Sequence, residues 1–232
     1  MPDNIYTDGT YLTNNPDWNE ADSKWKAGLI SALIKKNKLE FNKVVEVGCG
    51  AGQILNTLST KFLNVVDFSG YDISPQSIKL SKKISNNKLS FYNKDFLQEK
   101  VTADLLLVID VVEHIDDYLN FLRQLKVKAR HFIFHIPLDM SCRAILKSQI
   151  LLQQRRSVGH IHYFTRDIVK WALEDNGYHI IDWQYTKPNI DSAVSKSFKL
   201  KAKKHLRNLS FTINKDISAK LWGGYSILIL AK

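Results

Sequence analysis

The chain has 232 residues, a length that suits one α/β domain with a full hydrophobic core. Its 2 cysteines exclude a disulfide framework, and the formal net charge of +10 favours anionic partners. No apolar run reaches the ~20 residues of a membrane span, and residues 1–10 lack the apolar segment of a secretion signal. We therefore expect a cytoplasmic protein without a transmembrane segment, as a single domain over 1–232.

A buried strand and a glycine-rich turn open the predicted sheet. Residues 44–47 are apolar except for Glu46, and a helix is predicted over 51–62. Three alternate glycines stand between the two: Gly48, Gly50 and Gly52. Glycine permits positive φ and lets the backbone come close to a ligand. The dinucleotide fingerprint needs a glycine where this chain has Gln53, so the turn favours another nucleotide-type cofactor, or else it is purely structural.

Two further predicted strands lead to acidic residues. The second strand, over 65–71, delivers Asp72, which either accepts hydrogen bonds from both hydroxyls of a ribose or only favours the positive end of the next helix. The third strand, over 89–93, leads to Asp95 and Phe96. Asp95 is placed to accept from an adenine amine and Phe96 to lie against the ring, unless Asp95 is an ordinary loop acid.

The fourth predicted strand, over 103–109, is almost entirely apolar, as expected where helices cover both faces of a parallel sheet. It leads into Asp110-Val111-Val112-Glu113-His114, which resembles a motif of small-molecule methyltransferases of the ubiquinone-biosynthesis type. Glu46 with the three glycines resembles motif I of the class I S-adenosylmethionine (SAM)-dependent methyltransferases, and residues 70–75 look like their second motif. The order of these motifs is much more specific than any one of them.

The resemblance covers about residues 40–187 and implies the Rossmann-like methyltransferase fold. This fold is an α/β, doubly wound sheet of seven mostly parallel strands, with helices on both faces and an antiparallel strand near one edge. The implied cofactor is SAM, with S-adenosylhomocysteine (SAH) as product. The implied cofactor-binding residues are Tyr11 of an N-terminal lid, Glu46, Gly48, Cys49, Gly50, Gly52, Asp72, Ile73, Asp95, Phe96, Asp110 and Val111.

The second half of the chain completes this sheet. A fifth strand is predicted over 131–136 and is expected to end at Pro137, which cannot donate to a ladder. A helix over 165–177 and a sixth strand over 178–185 follow. The last strand, over 224–231, would lie antiparallel between the fifth and the sixth. The expected divisions are a lid and helix (1–40), a cofactor-binding half (41–137) and a substrate half (138–232), which contains insertions at 139–164 and 188–222.

Three histidines are candidate catalytic bases. His160 and His162 lie in a Gly-His-x-x-x-Phe segment that relatives place near the methyl group, and alternate positions of an extended chain point to one side. His114 follows the fourth strand. A neutral imidazole can take a proton at physiological pH, although each of these rings could instead cap backbone groups. A zinc pair lacks a convincing third ligand, so no metal is expected.

The positive charge is concentrated in the second insertion, at Lys196, Lys199, Lys201, Lys203, Lys204 and Arg207. Such a run is either a solvated helix face or a surface for an anionic substrate such as a sugar phosphate or RNA. Beyond Phe198 no aromatics are interleaved in this run, which disfavours a platform on which single-stranded nucleic acid stacks, so nucleic acid is a possible but not a favoured partner. We expect methyl transfer to oxygen or nitrogen of a small or carrier-linked metabolite, such as a sugar or natural-product intermediate. The alternatives are an RNA methyltransferase and a non-catalytic scaffold, and the oligomeric state is open.

Overall fold

The computed structural model describes residues 6, 8–10, 13, 20–65, 67–187 and 198–232, with the backbone alone at 20, 21 and 198–204. Its seven-stranded sheet consists of β1 (Lys43–Val47), β2 (Asp67–Asp72), β3 (Leu89–Asn93), β4 (Ala103–Ile109), β5 (Ala129–Leu138), β6 (Ile180–Thr186) and β7 (Tyr225–Ala231). The helices are α1 (Glu20–Lys36), α2 (Gln53–Lys61), α3 (Pro75–Ser81), α4 (Tyr118–Lys126), α5 (Cys142–Leu146), α6 (Gln149–Ser157), α7 (Arg166–Asp175), α8 (Phe198–Ile213) and α9 (Lys215–Trp222). Short 3₁₀ turns include Phe96–Gln98 and Val112–His114.

The strand order is β3-β2-β1-β4-β5-β7-β6, which confirms the predicted doubly wound fold. The first five strands pair in parallel, whereas β7 runs antiparallel between β5 and β6. The chain reverses its direction of growth between β1 and β4, because β2 and β3 extend the sheet to one side of β1 and the later strands extend it to the other. Crevices for ligands form at such a switch point, outside the carboxyl ends of the strands.

Helices cover both faces of the sheet. On one face α4 and α7 bury Phe121, Leu122, Leu125, Val169 and Leu173, and on the other α1 and α2 bury Ile30, Leu33, Ile34, Leu55 and Leu58. The central strand β4 is buried on both sides, which explains its nearly continuous apolar sequence. The carboxyl ends of β1 and β4 are thereby held rigidly between two cores.

The predicted end of the fifth strand is wrong. Strand β5 continues through Pro137 to Leu138, where Pro137 pairs with Ser226 of β7. The carbonyl of His135 accepts from Asp110 on the β4 side, and Pro137 has the same orientation two residues later. Because β4 has already ended at Ile109, the missing N–H of Pro137 costs no ladder hydrogen bond.

The other predicted elements differ from the structure by a few residues. The second strand begins at Asp67 and includes Asp72, and Val66 lies outside the described residues. Helix α7 has Thr165 as its N-cap and stops before Gly177, as predicted. Its Trp171 is 52% exposed although it is apolar.

The two insertions form helices beside the carboxyl edge of β5. Helices α5 and α6 follow β5, and α8 and α9 precede β7. Helix α6 buries none of its residues, so its leucines do not join the core as an amphipathic pattern would suggest. Among the described helices, none is both long and apolar enough to cross a membrane.

The turn after β1 requires glycine at Gly52. Its φ is +80°, a conformation that strains other L-residues, and a Cβ there would overlap the Phe91 ring. Gly28 in the middle of α1 differs, since a Cβ there would meet nothing within 4 Å.

We predict that Gly52→Ala lowers the free energy of unfolding by about 2 kcal/mol, through backbone strain and overpacking. Gly28→Ala is the matched control and should leave stability unchanged or raise it by about 0.5–1 kcal/mol, because alanine favours a helix. Urea denaturation of both variants measures this difference. Equal effects of the two substitutions would contradict the assigned turn geometry.

Candidate functional site

A cavity with about 1050 Å³ of empty space, partly open to solvent, lies at the carboxyl ends of β1 and β4. The turn after β1, the ends of β2 and β4 and the 3₁₀ turn Val112–His114 form its walls, and α1 closes another side. The lining residues that matter below are Tyr6, Lys26, Glu46, Gly48, Cys49, Gly50, Gly52, Asp72, Ile73, Asp110, Val111 and His114. Most of the predicted cofactor residues are therefore brought together at one place.

Asp72 holds the glycine turn in place. Its two carboxylate oxygens accept from the backbone N–H groups of Gly50 and Ser74, both at 2.8 Å. Burial raises the pKa of Asp72, and these two hydrogen bonds oppose that effect. Ser74 also caps α3, with Pro75 in the first turn. Asp72 thus joins the turn after β1 to the start of α3.

Glu46 presents an unsatisfied carboxyl group at the cavity wall. The residue is 1% exposed, and its Oε2 has no hydrogen-bond partner among the described residues. Burial raises the pKa of Glu46 well above its usual range, and the nearby Asp72 carboxylate adds to this effect. A positively charged ligand group would supply what this carboxyl lacks.

Asp110 anchors a buried charge network. Its carboxylate binds the Lys26 ammonium at 2.6 Å and Nδ1 of His135 at 2.6 Å, and Nε2 of His135 lies 2.9 Å from the Thr186 hydroxyl. Burial alone would raise the pKa of Asp110, but His135 and Lys26 outweigh it and hold the pKa well below the usual range. The backbone of Asp110 has φ +53°, which aspartate tolerates better than most residues.

Two members of this network could not be recognised from sequence motifs. Lys26 lies on α1, where the periodicity of apolar residues directs attention to the core, and no motif marks it. His135 lies within a predicted strand, where its position suggests no functional role, yet its ring reaches Asp110 at the end of the neighbouring strand. One sign in the sequence could have indicated Lys26. This lysine stands next to Ala27, which lies on the buried face of an amphipathic helix.

Two of the candidate histidines surround a buried carboxylate. Nε2 of His114 lies 3.8 Å and Nε2 of His160 3.9 Å from Oε1 of Glu113, which is fully buried. Burial, together with the neighbouring Asp110, raises the pKa of Glu113 well above its usual range. Burial, with His160, lowers the pKa of His114 to about 4. The following helix, α4, is capped by Asp117.

The third candidate base lies apart from the cavity. Nε2 of His162 donates to the carbonyls of Ile115 and Asp116, at 2.9 and 3.1 Å, as the backbone-capping alternative proposed. His114, by contrast, lines the cavity, and the Tyr6 hydroxyl lies 2.8 Å from its Nδ1. The three histidines therefore have different environments despite their similar sequence signals.

Two predicted cofactor residues, Asp95 and Phe96, do not line the cavity. Asp95 caps the 3₁₀ turn Phe96–Gln98 and accepts from Leu97 N–H at 2.9 Å. Phe96 is 1% exposed and packs on Tyr71 within the core. Tyr11 lies outside the described residues. Their contacts with a cofactor stay predictions.

Comparison with known proteins agrees with this architecture. The sequence model of the methyltransferase domain family matches residues 18–182. The ubiquinone biosynthesis O-methyltransferase of Pelagibacter ubique is 27% identical over 198 residues, covering 82% of this chain and 73% of that protein. The ribosomal RNA small subunit methyltransferase A of Mycoplasmopsis pulmonis is 24% identical over 203 residues, covering 85% and 70%.

A solved structure supports the fold. Magnesium protoporphyrin IX methyltransferase from Synechocystis PCC 6803, crystallised with bound SAH, aligns with a TM-score of 0.60 at 18% identity, covering 90% of this chain and 82% of that one. The family match spans well over half of the sequence and includes the strands that form the cavity. The chain belongs to the methyltransferase domain family and is a class I SAM-dependent methyltransferase.

Proposed function

We propose that this enzyme methylates oxygen or nitrogen of a small or carrier-linked metabolite, and that the amino-acid end of SAM binds between Lys26 and Glu46. The observation that supports this placement is that a lysine and an unsatisfied carboxyl group both line the cavity. The methionine part of SAM carries an α-carboxylate and an α-ammonium group. Lys26 spends one of its donors on Asp110 and has others for the carboxylate, whereas Oε2 of Glu46 is open to the ammonium.

The rest of the cofactor has matching groups along the same wall. Each oxygen of Asp72 uses one lone pair on a backbone N–H and keeps another for a ribose hydroxyl. Gly48 and Gly50 allow close approach of the backbone. Ile73 is half exposed beside Asp72, so the adenine ring gains an apolar contact there. Cys49 is buried behind the turn and supports it.

We propose that the substrate enters on the side of the two insertions, where His114 meets the cavity. A small-molecule acceptor agrees with the named activity of the Pelagibacter relative. The ribosomal RNA relative keeps RNA methylation as the second candidate. In the basic insertion, Arg207 is occupied, because it donates to the carbonyls of Gly223 and Gly224, both at 2.7 Å. This contact removes one of the cations available to an anionic substrate.

Calorimetric titration with SAH tests the cofactor placement. We expect micromolar binding by the wild type and about 10- to 100-fold weaker binding by Lys26→Met, since a charge-assisted hydrogen bond to a carboxylate is lost. Lys35→Met, at an exposed position of the same helix, is the matched control and should bind as the wild type does.

Methylthioadenosine lacks the amino-acid end of the cofactor and separates two explanations. If Lys26 binds the carboxylate, Lys26→Met weakens SAH but leaves the affinity for methylthioadenosine unchanged. Equal weakening of both ligands would mean that the substitution damages the cavity as a whole, and this result would reject the proposed contact.

Glu46 gives a pH-dependent prediction. Because its pKa is raised in the folded protein, its contribution to stability is fully present below its unfolded pKa and is lost as pH rises through the folded pKa. The free energy of unfolding of the wild type should therefore fall relative to that of Glu46→Gln as the pH rises from 5 to 8. Urea denaturation without cofactor measures this difference.

The control for Glu46 is Glu40→Gln, at an exposed position just before β1. The stability difference between this variant and the wild type should stay nearly constant over the same pH range. A constant difference for Glu46→Gln as well would show that the Glu46 carboxyl gains a counter-charge in the free protein.

Transfer of labelled methyl groups distinguishes the two substrate classes. The enzyme is incubated with labelled SAM and either a panel of hydroxylated and amino metabolites, including sugar phosphates, or total RNA. Label in the metabolite pool supports the proposal. Label in RNA alone, with an activity that falls steeply as salt rises, would establish the second candidate in its place.

A further inference from the structure

We propose that Glu113, His114 and His160 bind a divalent metal ion, for which zinc is the probe. Their ligand atoms all lie within 4.8 Å of one another. Two imidazoles and one carboxylate form a donor set that binds zinc in proteins and leaves a fourth position for another ligand. The sequence argued against zinc because His160 and His162 lacked a third ligand. In the folded chain His114, and not His162, lies beside His160, and Glu113 is the third ligand.

The hydrogen bonds of the two histidines orient them as metal ligands. Nδ1 of His160 donates to Asp139 at 2.6 Å, and Nδ1 of His114 donates to the Gly159 carbonyl at 3.1 Å. With the proton on Nδ1, each ring turns the lone pair of Nε2 toward Glu113. Metal-binding histidines in proteins have the same arrangement, in which the distal N–H is fixed by a carboxylate or a carbonyl group.

Glu113 is the second, independent observation. Neither of its carboxylate oxygens receives a hydrogen bond from any part of the chain that the structure describes, although the residue is 0% exposed. Burying an unpaired acceptor costs free energy, and here two imidazole lone pairs face the same oxygens. Three acceptors that converge without a donor from the described part of the chain favour a cation between them.

The spacing fits with a small adjustment. The Nε2 atoms of His114 and His160 lie 3.8 and 3.9 Å from Oε1 of Glu113. A tetrahedral zinc ion with bonds of 2.0–2.2 Å holds its ligands about 3.3 Å apart, so each histidine must approach Oε1 of Glu113 by about half an ångström. Small rotations of the side chains supply this movement, since His114 follows Glu113 directly in one 3₁₀ turn.

The position of the cluster gives the ion a role in the proposed reaction. His114 belongs both to the cluster and to the cavity wall. An ion there would bind a hydroxyl oxygen of the acceptor and favour loss of its proton to solvent. That oxygen then attacks the methyl carbon, the carbon–sulfur bond breaks, and SAH leaves with the electron pair. This role rests on the proposed function and selects oxygen acceptors, whereas metal binding itself does not depend on it.

Zinc titration of the chelator-treated protein tests the site. We expect one zinc per chain with submicromolar affinity by calorimetry, and at least about 100-fold weaker binding by Glu113→Gln and His160→Gln. Asp139→Asn, which changes only the partner of His160, should weaken binding about 10- to 100-fold. His162→Gln is the matched control: it removes a nearby imidazole outside the cluster and should leave zinc affinity unchanged.

Two sets of controls distinguish loss of the metal site from misfolding of a variant and from zinc binding at the protein surface. Each variant must retain SAH affinity and a cooperative thermal transition, and zinc should raise the midpoint of the wild type but not that of Glu113→Gln. Cys142→Ser should bind zinc as the wild type does, because the exposed Cys142 is an alternative surface ligand.

Cobalt(II) gives a spectroscopic test that needs no activity. The wild type loaded with cobalt should show visible absorption of a four- or five-coordinate site, and Glu113→Gln should not. Absence of stoichiometric zinc binding, or equal binding by Glu113→Gln, would overturn the proposal and leave a proton as the cation of this cluster. Because SAH binding is measured separately, that failure would leave the proposed cofactor site intact.

Discussion

The burial of ionisable groups at the carboxyl ends of β1 and β4 is the constraint on which the rest of this structure depends. Glu46 and Glu113 are fully buried near the ends of two neighbouring strands, and Asp110, with 27% of its side chain exposed, is partly removed from water there. An isolated buried charge is costly, so each group must be paired, protonated or bound to a ligand. Only Asp110 is fully paired among the described residues, by Lys26 and His135.

Asp110 is paired and contributes to the fold, whereas Glu46 and Glu113 are unpaired in the described part of the chain and are available to ligands. The Asp110 network binds α1 to the end of β4 and extends through His135 to Thr186 of β6, so it fixes the cavity floor and one wall. Glu46 and Glu113 each keep at least one carboxylate oxygen without a hydrogen-bond partner among the described residues. Polar groups with hydrogen-bond partners make the site rigid. Groups without partners are positions at which a bound ligand would stabilise the folded protein. The cofactor and the proposed metal ion therefore stabilise the same region that they use.

Much of the fold could be predicted from the sequence because its signals are local. The apolar run of β4, the glycines after β1 and the N-cap of α7 depend on residues close in the chain, and each was placed correctly within a few residues. The extension of β5 through Pro137 could not be predicted, because it depends on where β4 stops and β7 begins to pair.

The candidate site was only partly predictable for the same reason. Strand-end residues such as Asp72 and Asp110 could be located, since topology alone brings strand ends together. Pairing across distant elements could not: Lys26 meets Asp110, and His160 meets Asp139 and Glu113, through contacts of the folded chain. Phe96 is buried in the core, which its motif position did not indicate, and its contact with a cofactor stays a prediction.

A crystal structure of the enzyme with SAH is the most direct test of the central claim. The account predicts that the α-carboxylate of SAH lies within hydrogen-bonding distance of Nζ of Lys26 and that its α-ammonium contacts the Glu46 carboxyl. The ribose hydroxyls should lie at Asp72. An amino-acid end directed away from Lys26 and Glu46, with these side chains unchanged from the free protein, would contradict the account.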